Sequence, residues 1–266
     1  MNRIQKKFQS LRKQNKKALI VFITAGDPTL RKTEDFIYAF EKSGVDLIEL
    51  GVPFSDPVAD GPVIQASSQR ALQRKASLKK ILKLVGRVRK KSQIPILLMS
   101  YFNPIFRYGL KRFAQDAQAS GMDGVIIPDL PPEEGKEIGP VLKRRQMDLV
   151  YLLAPTSNRD RQRMVTRASR GFIYYVSLTG VTGMRKSVAS DLQHRLTSIK
   201  RQTKLPVCVG FGISTPRQAK AASRFADGVI IGSAIVHAIM TYPKLGAAKF
   251  SEKFIRPFAR ALGKKV

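Results

Sequence analysis

Short runs of aliphatic and β-branched residues recur from one end of the chain to the other, and each is followed by a longer stretch with helical spacing. In residues 78–90, for example, Leu78, Ile81 and Val85 fall on one stripe, whereas lysines and arginines occupy most other positions. This pattern is typical of a helix that packs one face on a core. The runs predict eight strands, at 18–24, 46–51, 94–100, 124–128, 148–153, 172–177, 205–210 and 227–232.

Alternating strands and helices indicate parallel strand pairing, and eight such units favour a closed barrel over an open sheet. A chain of 266 residues is long enough to bury a large core but short for two ordinary domains. We therefore predict an α/β fold, a single-domain (β/α)8 TIM barrel over residues 1–266. The basic residues from Arg3 to Lys17 precede the first strand and are assigned to an N-terminal extension helix.

The charge of the chain is strongly positive, with 48 Lys and Arg against 19 Asp and Glu, a formal net charge of +29. Such a field attracts anions, including phosphate esters, RNA and anionic membranes. An RNA-associated protein that keeps a barrel scaffold is one interpretation. The basic residues are, however, spread over many helices without an aromatic recognition motif, so specific nucleic-acid binding is not expected.

The apolar segments are too short for a membrane protein, because none approaches the roughly 18 residues that span a bilayer. The run at 18–25 follows a basic segment as in a signal peptide, but a first core strand explains it better. The single cysteine, Cys208, cannot form an internal disulfide. Together these features predict a cytoplasmic protein without a membrane partner.

Glu49 is the first candidate for chemistry, because it is a carboxylate among apolar strand residues. Strand alternation places it on one face with Leu47 and Gly51, opposite Ile48 and Leu50. If the opposite face packs on helices, Glu49 points into the barrel mouth, where burial raises its pKa toward the range useful for proton transfer. The structural alternative is a glutamate paired with an interior arginine or lysine.

The following loop, residues 52–62, is rich in prolines and carries Asp56 and Asp60. In a barrel of this kind, loops at the C-terminal strand ends build the active site, so Asp60 is a candidate for the same pocket as Glu49. Both aspartates also fit a purely structural role, since Asp before Pro or Gly is a common turn signal.

Three segments with glycines follow the last three predicted strands, at 180–183, 210–214 and 232–234. Glycine lets backbone N–H groups approach an anion closely, and Ser233 is placed to begin a helix whose N-terminus favours phosphate. Such loops are the usual phosphate position in TIM barrels. We find no metal-ligand spacing, and no lysine inside a predicted strand that would suit a Schiff-base aldolase.

The segment Leu50 to Pro57, continued by 59–62, resembles the signature of the tryptophan synthase α subunit. Further segments resemble the same family in the same order, at 24–28, 101–104, 127–131, 180–183 and 210–214. The resemblance implies a lyase of tryptophan biosynthesis that cleaves indole-3-glycerol phosphate to indole and glyceraldehyde 3-phosphate. It also implies an α2β2 complex in which the β subunit uses pyridoxal phosphate, whereas the α chain needs no cofactor.

By this resemblance, Glu49 is the general acid and base that protonates indole C3 and takes the proton of the glycerol hydroxyl. Asp60 is the carboxylate that stabilises positive charge on the indole ring nitrogen. Thr182 belongs to a mobile loop that closes toward Asp60. The other residues implied are Phe22, Tyr101 and Tyr174 around the indole, Gly183, Gly212, Gly232 and Ser233 at the phosphate, and Asp56 and Pro57 facing the β subunit.

Two positions depart from the family pattern: Met184 stands where a small residue is usual, and Val63 where threonine is common. Both lie in segments that must move or pack. They suggest a second possibility, a regulatory subunit that binds a phosphate ligand and activates its β partner without cleaving the substrate. The intact pair Glu49 and Asp60 favours the active lyase.

Overall fold

The computed structural model describes residues 1–177, 186–210 and 212–266. Its strands are β1 (Ala18–Thr24), β2 (Leu47–Gly51), β3 (Ile96–Met99), β4 (Gly124–Ile126), β5 (Asp148–Val150), β6 (Leu152–Leu153), β7 (Ile173–Val176), β8 (Val207–Gly210) and β9 (Gly228–Ile231). The helices are α1 (Arg3–Lys13), α2 (Leu30–Lys42), α3 (Pro62–Gln73), α4 (Leu78–Val88), α5 (Phe102–Tyr108), α6 (Leu110–Ala119), α7 (Ile138–Arg144), α8 (Arg159–Ala168), α9 (Lys186–Lys200), α10 (Pro216–Ser223), α11 (Ser233–Thr241), α12 (Ala247–Phe254) and α13 (Arg256–Ala261).

All strand pairs are parallel, and the strand order is β5-β4-β3-β2-β1-β9-β8-β7-β6. The two strands at the edges of the sheet, β5 and β6, are separated in the chain by Tyr151 alone, so the two edges meet at this residue. The Tyr151 carbonyl accepts a hydrogen bond from the Tyr174 N–H at 3.3 Å. The chain therefore forms a nearly closed barrel, which confirms the predicted (β/α)8 fold.

The predicted strand at 148–153 corresponds to two strands, because its residues change hydrogen-bonding partner from β4 to β7. Side-chain alternation nevertheless continues through it, with Val150 inside the barrel and Tyr151 in the outer layer. Three other predicted strands were too long at positions 95, 128 and 206, which are all prolines. Proline has no backbone N–H to donate to the sheet, so these residues flank the strands.

Alternate strand residues divide the core into two layers. The larger layer lies between the barrel and its helices and includes Ile48 and Leu50. The smaller one fills the barrel interior and includes Leu47, Tyr174 and Cys208. This division follows from the two-residue period of side chains along a strand.

Helix α1 closes the N-terminal end of the barrel. Its apolar residues Ile4, Phe8 and Leu11 join the interior core, and the Phe8 ring centroid lies 5.8 Å from that of Phe172. The Asn2 side chain caps the helix and donates to the Asp148 carboxylate at 2.7 Å. Arg3 forms an ion pair with Asp123 at 3.1 Å.

Aspartates at strand starts strengthen the same end of the barrel. Asp46, Asp123 and Asp227 each accept a hydrogen bond from one backbone N–H in the first two residues of a neighbouring strand, and each is paired with a cation. The bonded N–H groups belong to Leu19, Ile96 and Val207, and the cations to Lys264, Arg89 and Lys200, respectively. These contacts are structural, whereas the active sites of this fold are built at the C-terminal strand ends.

Among the described helices, none combines the length and the apolar composition required to cross a membrane.

Candidate active site

Glu49 lies on the inner face of β2 and is fully buried. Its strand neighbours Ile48 and Leu50 pack in the outer layer, as the alternation predicts. Neither carboxyl oxygen has a hydrogen-bond partner among the described residues, so the alternative of a paired structural glutamate is not observed there. Burial raises the pKa of Glu49 to about 8, so the carboxyl holds a proton at neutral pH.

The charge of Glu49 affects the pKa of two buried side chains on the opposite side of the barrel. The pKa of Tyr174 and that of Cys208 are both raised well above their usual values, first by burial and further by charged groups that include Glu49. Tyr174 needs a glycine beside it, because a Cβ atom at Gly210 would lie 2.5 Å from its hydroxyl oxygen. Of the residues expected around the indole, Tyr174 is thus placed near the candidate acid.

A narrow cleft lies at the C-terminal ends of the strands. Gly51 lies in its wall, one inward-facing position beyond Glu49 on the same strand. A Cβ atom at this glycine would lie 2.5 Å from Cζ of Phe22, so the absence of a side chain makes room for the ring. The lining residues are Phe22, Thr24, Gly51, Val52, Asp60, Ile64, Ser68, Met99, Ser100, Tyr101 and Pro128.

Asp60 reaches this cleft from the loop after β2. Its side chain is half-buried, and burial raises its pKa to about 6, an effect that a hydrogen bond from Tyr101 opposes. The backbone N–H of Asp60 also donates to the Pro57 carbonyl at 3.0 Å. Asp60 therefore both forms a turn and lines the cleft.

The candidate phosphate residues lie at the same end of the barrel. Gly212 follows β8 with a φ of +73°, which favours glycine. Gly232 is the N-cap of α11, and Ser233 is the first residue of that helix. Because β8 and β9 are neighbours, their loops emerge side by side. The first N–H groups of a helix have no acceptor within it, so they are available to an anion.

Several expected residues are not part of this group. Thr182, Gly183 and the departure Met184 lie outside the described residues. Asp56 is exposed and Pro57 half-exposed on the outer part of the loop after β2.

Sequence reasoning missed an apolar cluster beside the cleft. Ile64 at the start of α3 and Val236 in α11 pack on Phe22, with Val63 partly buried against them. The signal was an apolar residue in the first turn of each helix that follows a glycine loop. Through this cluster, α11, which begins at the candidate phosphate residues, packs against α3, which follows the loop that carries Asp60.

The fold and the cleft define a class, the TIM-barrel enzymes, whose active sites lie at the C-terminal ends of the strands. The family model described as "Tryptophan synthase alpha chain" matches residues 8–260. The chain therefore belongs to the tryptophan synthase alpha chain family, which confirms the resemblance seen in the sequence.

Individual relatives agree with this assignment. The chain is 49% identical over 263 residues to the tryptophan synthase alpha chain of Geobacter sulfurreducens, covering 99% of this chain and 100% of the relative. It is 54% identical over 236 residues to that of Geobacter sp. (strain M21), covering 89% and 88%. The crystal structure of tryptophan synthase subunit alpha from Legionella pneumophila is similar with a TM-score of 0.92 and 38% identity, covering 99% of each chain.

Proposed function

We propose that this chain is the α subunit of tryptophan synthase, a lyase that cleaves indole-3-glycerol phosphate to indole and glyceraldehyde 3-phosphate. The observation that carries the proposal is the buried carboxyl of Glu49, which has no partner among the described residues and lies on the strand that leads to a cleft lined by Asp60. A protonated and an ionised carboxyl group beside one cleft suit a reaction that both donates a proton and creates positive charge.

Glu49 acts twice in this proposal. Because its pKa is about 8, it is protonated at neutral pH and donates its proton to C3 of the indole ring. The resulting carboxylate then takes the proton of the glycerol hydroxyl. The bond between C3 and the carbinol carbon breaks, its electron pair returns to the ring, and the carbinol becomes the aldehyde. One proton moves from the hydroxyl to C3, so the step is balanced.

Asp60 stabilises the intermediate. Protonation at C3 leaves positive charge on the ring nitrogen, and an ionised carboxylate at that atom lowers the energy of the charged state. With a pKa of about 6, Asp60 is ionised at neutral pH. The two carboxyl groups thus have opposite protonation states at the same pH, which their different burial supports.

The remaining site residues bind the substrate. Phe22, Tyr101 and Tyr174 surround the indole, and the first two line the cleft. Gly212, Gly232 and Ser233 bind the phosphate with backbone N–H groups at the end of β8 and the start of α11. For Thr182 and Gly183, the loop closure and phosphate contact implied by the family stay predictions.

The partner is the β subunit, in an α2β2 complex, and it is this partner that uses pyridoxal phosphate. Asp56 and Pro57 are proposed to face it. Exposed apolar side chains support a protein surface here, because Val58 on the same loop is 85% exposed and Phe106 on α5 is 58% exposed. We infer a cytoplasmic location, which the free buried thiol of Cys208 supports.

The test is release of indole from indole-3-glycerol phosphate by the full chain, measured with and without the β subunit. We expect indole from the chain alone and faster release in the complex. A chain that binds the substrate and accelerates the β reaction but releases no indole would be the regulatory subunit instead. Equal inactivity in both assays, with no ligand binding, would overturn the proposal.

A further inference from the structure

One phenol connects the end of β3 to the loop that carries Asp60. We call residues 52–61 the Asp60 loop. Tyr101 follows β3, is the N-cap residue of α5, and is only 5% exposed. Just before it, the Ser100 N–H donates to the Ile126 carbonyl of β4 at 3.0 Å. The backbone that carries this phenol is therefore anchored to the barrel rather than to the Asp60 loop.

Tyr101 contacts the Asp60 loop at three separate points. Its ring lies against that of Phe54, with 5.3 Å between the centroids. Its hydroxyl oxygen accepts a hydrogen bond from the Ala59 N–H at 2.8 Å. The Asp60 carboxylate is the third point, because it and the same hydroxyl act on each other's pKa. Because the Ala59 N–H occupies a lone pair of the hydroxyl, the hydroxyl proton remains available to an acceptor beside Ala59.

We propose that Tyr101 is a positioning residue, which orients the Asp60 carboxylate in the cleft and keeps it ionised for the charge that develops on the indole ring nitrogen. The inference rests on the proposed function and goes beyond the contact of Tyr101 with the indole. The phenol occupies one acceptor position of the carboxylate and leaves the others for the ring N–H. A carboxylate held in advance does not have to reorient when the charge appears.

The Tyr101 hydroxyl also acts on the protonation of Asp60. Burial raises the pKa of this carboxyl to about 6, and the bond from Tyr101 lowers it, because a donor stabilises the charged form. The other charged group that acts on the pair among the described residues is Asp129, which raises the pKa of Tyr101 and itself accepts from the Phe102 N–H at 2.9 Å. Removing the phenol hydroxyl therefore raises the pKa of Asp60 further.

The first experiment compares Tyr101→Phe with the native chain in the α2β2 complex. The variant keeps the ring against Phe54 and removes only the hydroxyl. We expect kcat for indole release to fall roughly tenfold. We also expect the acid limb of the kcat profile to move up by roughly one pH unit, so that part of the loss is recovered at higher pH.

The matched control is Tyr38→Phe on helix α2, where the hydroxyl donates to the Glu34 carboxylate at 3.2 Å. It removes the same kind of bond far from the cleft, so kcat and its pH profile should stay as in the native complex. A loss for Tyr101→Phe that is equal at every pH, a rise confined to KM, or native kcat would each overturn the positioning role.

The second experiment needs no Tyr101 variant and so does not depend on its folding. Tyrosine labelled with 13C at Cζ is incorporated into the native chain, and the Tyr101 signal is followed with pH. We expect a titration step with an apparent pKa near that of Asp60, about 6, which disappears in Asp60→Asn. A signal that does not respond between pH 5 and 7 would overturn the inference. Failure of the native complex to release indole would instead contradict the proposed function, whatever the Tyr101 signal does.

Discussion

Glu49 is costly for the fold because its carboxyl is buried without a hydrogen-bond partner among the described residues. Its pKa is about 8 in the folded chain against a usual value of 4.5. The folded state therefore binds more protons than the unfolded state between these values. The free energy of unfolding consequently falls as pH rises from about 4.5 to about 8, the opposite of the behaviour of a salt-bridged carboxylate.

Glu49→Gln tests this cost together with the catalytic role. We expect indole release to be abolished while ligand binding survives, since the amide has no proton to exchange. The free energy of unfolding at pH 7 should rise by on the order of 3 kcal/mol, because the amide does not titrate. Urea unfolding at pH 5 and pH 8 measures this, with the larger gain expected at pH 8. Retained turnover would remove Glu49 from the mechanism.

The protonation states of the two carboxyl groups predict the pH dependence of the reaction. Activity requires ionised Asp60, so it should rise as pH rises through about 6. It also requires protonated Glu49, so it should fall as pH rises through about 8. The profile of kcat/KM should be bell-shaped. Asp60→Asn should be severely impaired and lose the acid limb, and an unchanged acid limb would assign that limb to another group.

At the scale of elements, strands β2 and β8 leave space for aromatic rings, because each has a glycine where the barrel interior is crowded. Gly51 on β2 accommodates Phe22 of β1, and Gly210 on β8 accommodates Tyr174 of β7. The rings then stand in the position where the indole is proposed to bind. A side chain in place of either glycine would have to displace an aromatic wall of the site.

Gly51→Ala should therefore change substrate binding more than stability. The added methyl group meets Cζ of Phe22 at 2.5 Å, so this ring in the wall of the cleft must shift. We expect KM for indole-3-glycerol phosphate to rise by roughly tenfold or more. The control is Gly86→Ala in helix α4, where a Cβ atom meets nothing within 4 Å. That change should leave KM unaltered and stabilise the chain by about 1 kcal/mol.

For the whole molecule, the N-terminal helix and the last residues of the chain both close the bottom of the barrel. Lys264, near the C-terminus, pairs with Asp46 at the start of β2, and α1 fills the interior from below. Contacts between distant parts of the chain thus complete the core. We propose on this basis that residues 1–266 form one domain and unfold as one unit.

Phe8→Ala tests this proposal, because it removes a ring of α1 from the interior core. We expect a loss of about 3–5 kcal/mol in the free energy of unfolding. Circular dichroism and tyrosine fluorescence should follow a single transition in both proteins, shifted to lower denaturant in the variant. A separate early transition of α1 with an unchanged main transition would show instead that the extension is not part of the domain.

Much of the site was predictable from particular residues. The two-residue alternation of β2 was enough to place Glu49 inside the barrel, because Ile48 and Leu50 had to pack on helices. Asp60 was ambiguous from its loop, which is a turn as well as a wall of the cleft. The hydrogen bond from the Ala59 N–H to the Tyr101 hydroxyl was not predictable, since it joins loops after two different strands and leaves no spacing pattern in the chain.

The sequence by itself determined the order of strands and helices, the inner face of each strand and the family, because these depend on local periodicity and on continuous motifs. Only the tertiary structure decided how the barrel closes at Tyr151. It also decided which aspartates form ion pairs at the N-terminal end of the barrel. It alone also decided that Glu49 has no partner among the described residues. The physical reason is that burial and pairing depend on residues far apart in the chain, which meet only after the barrel has closed.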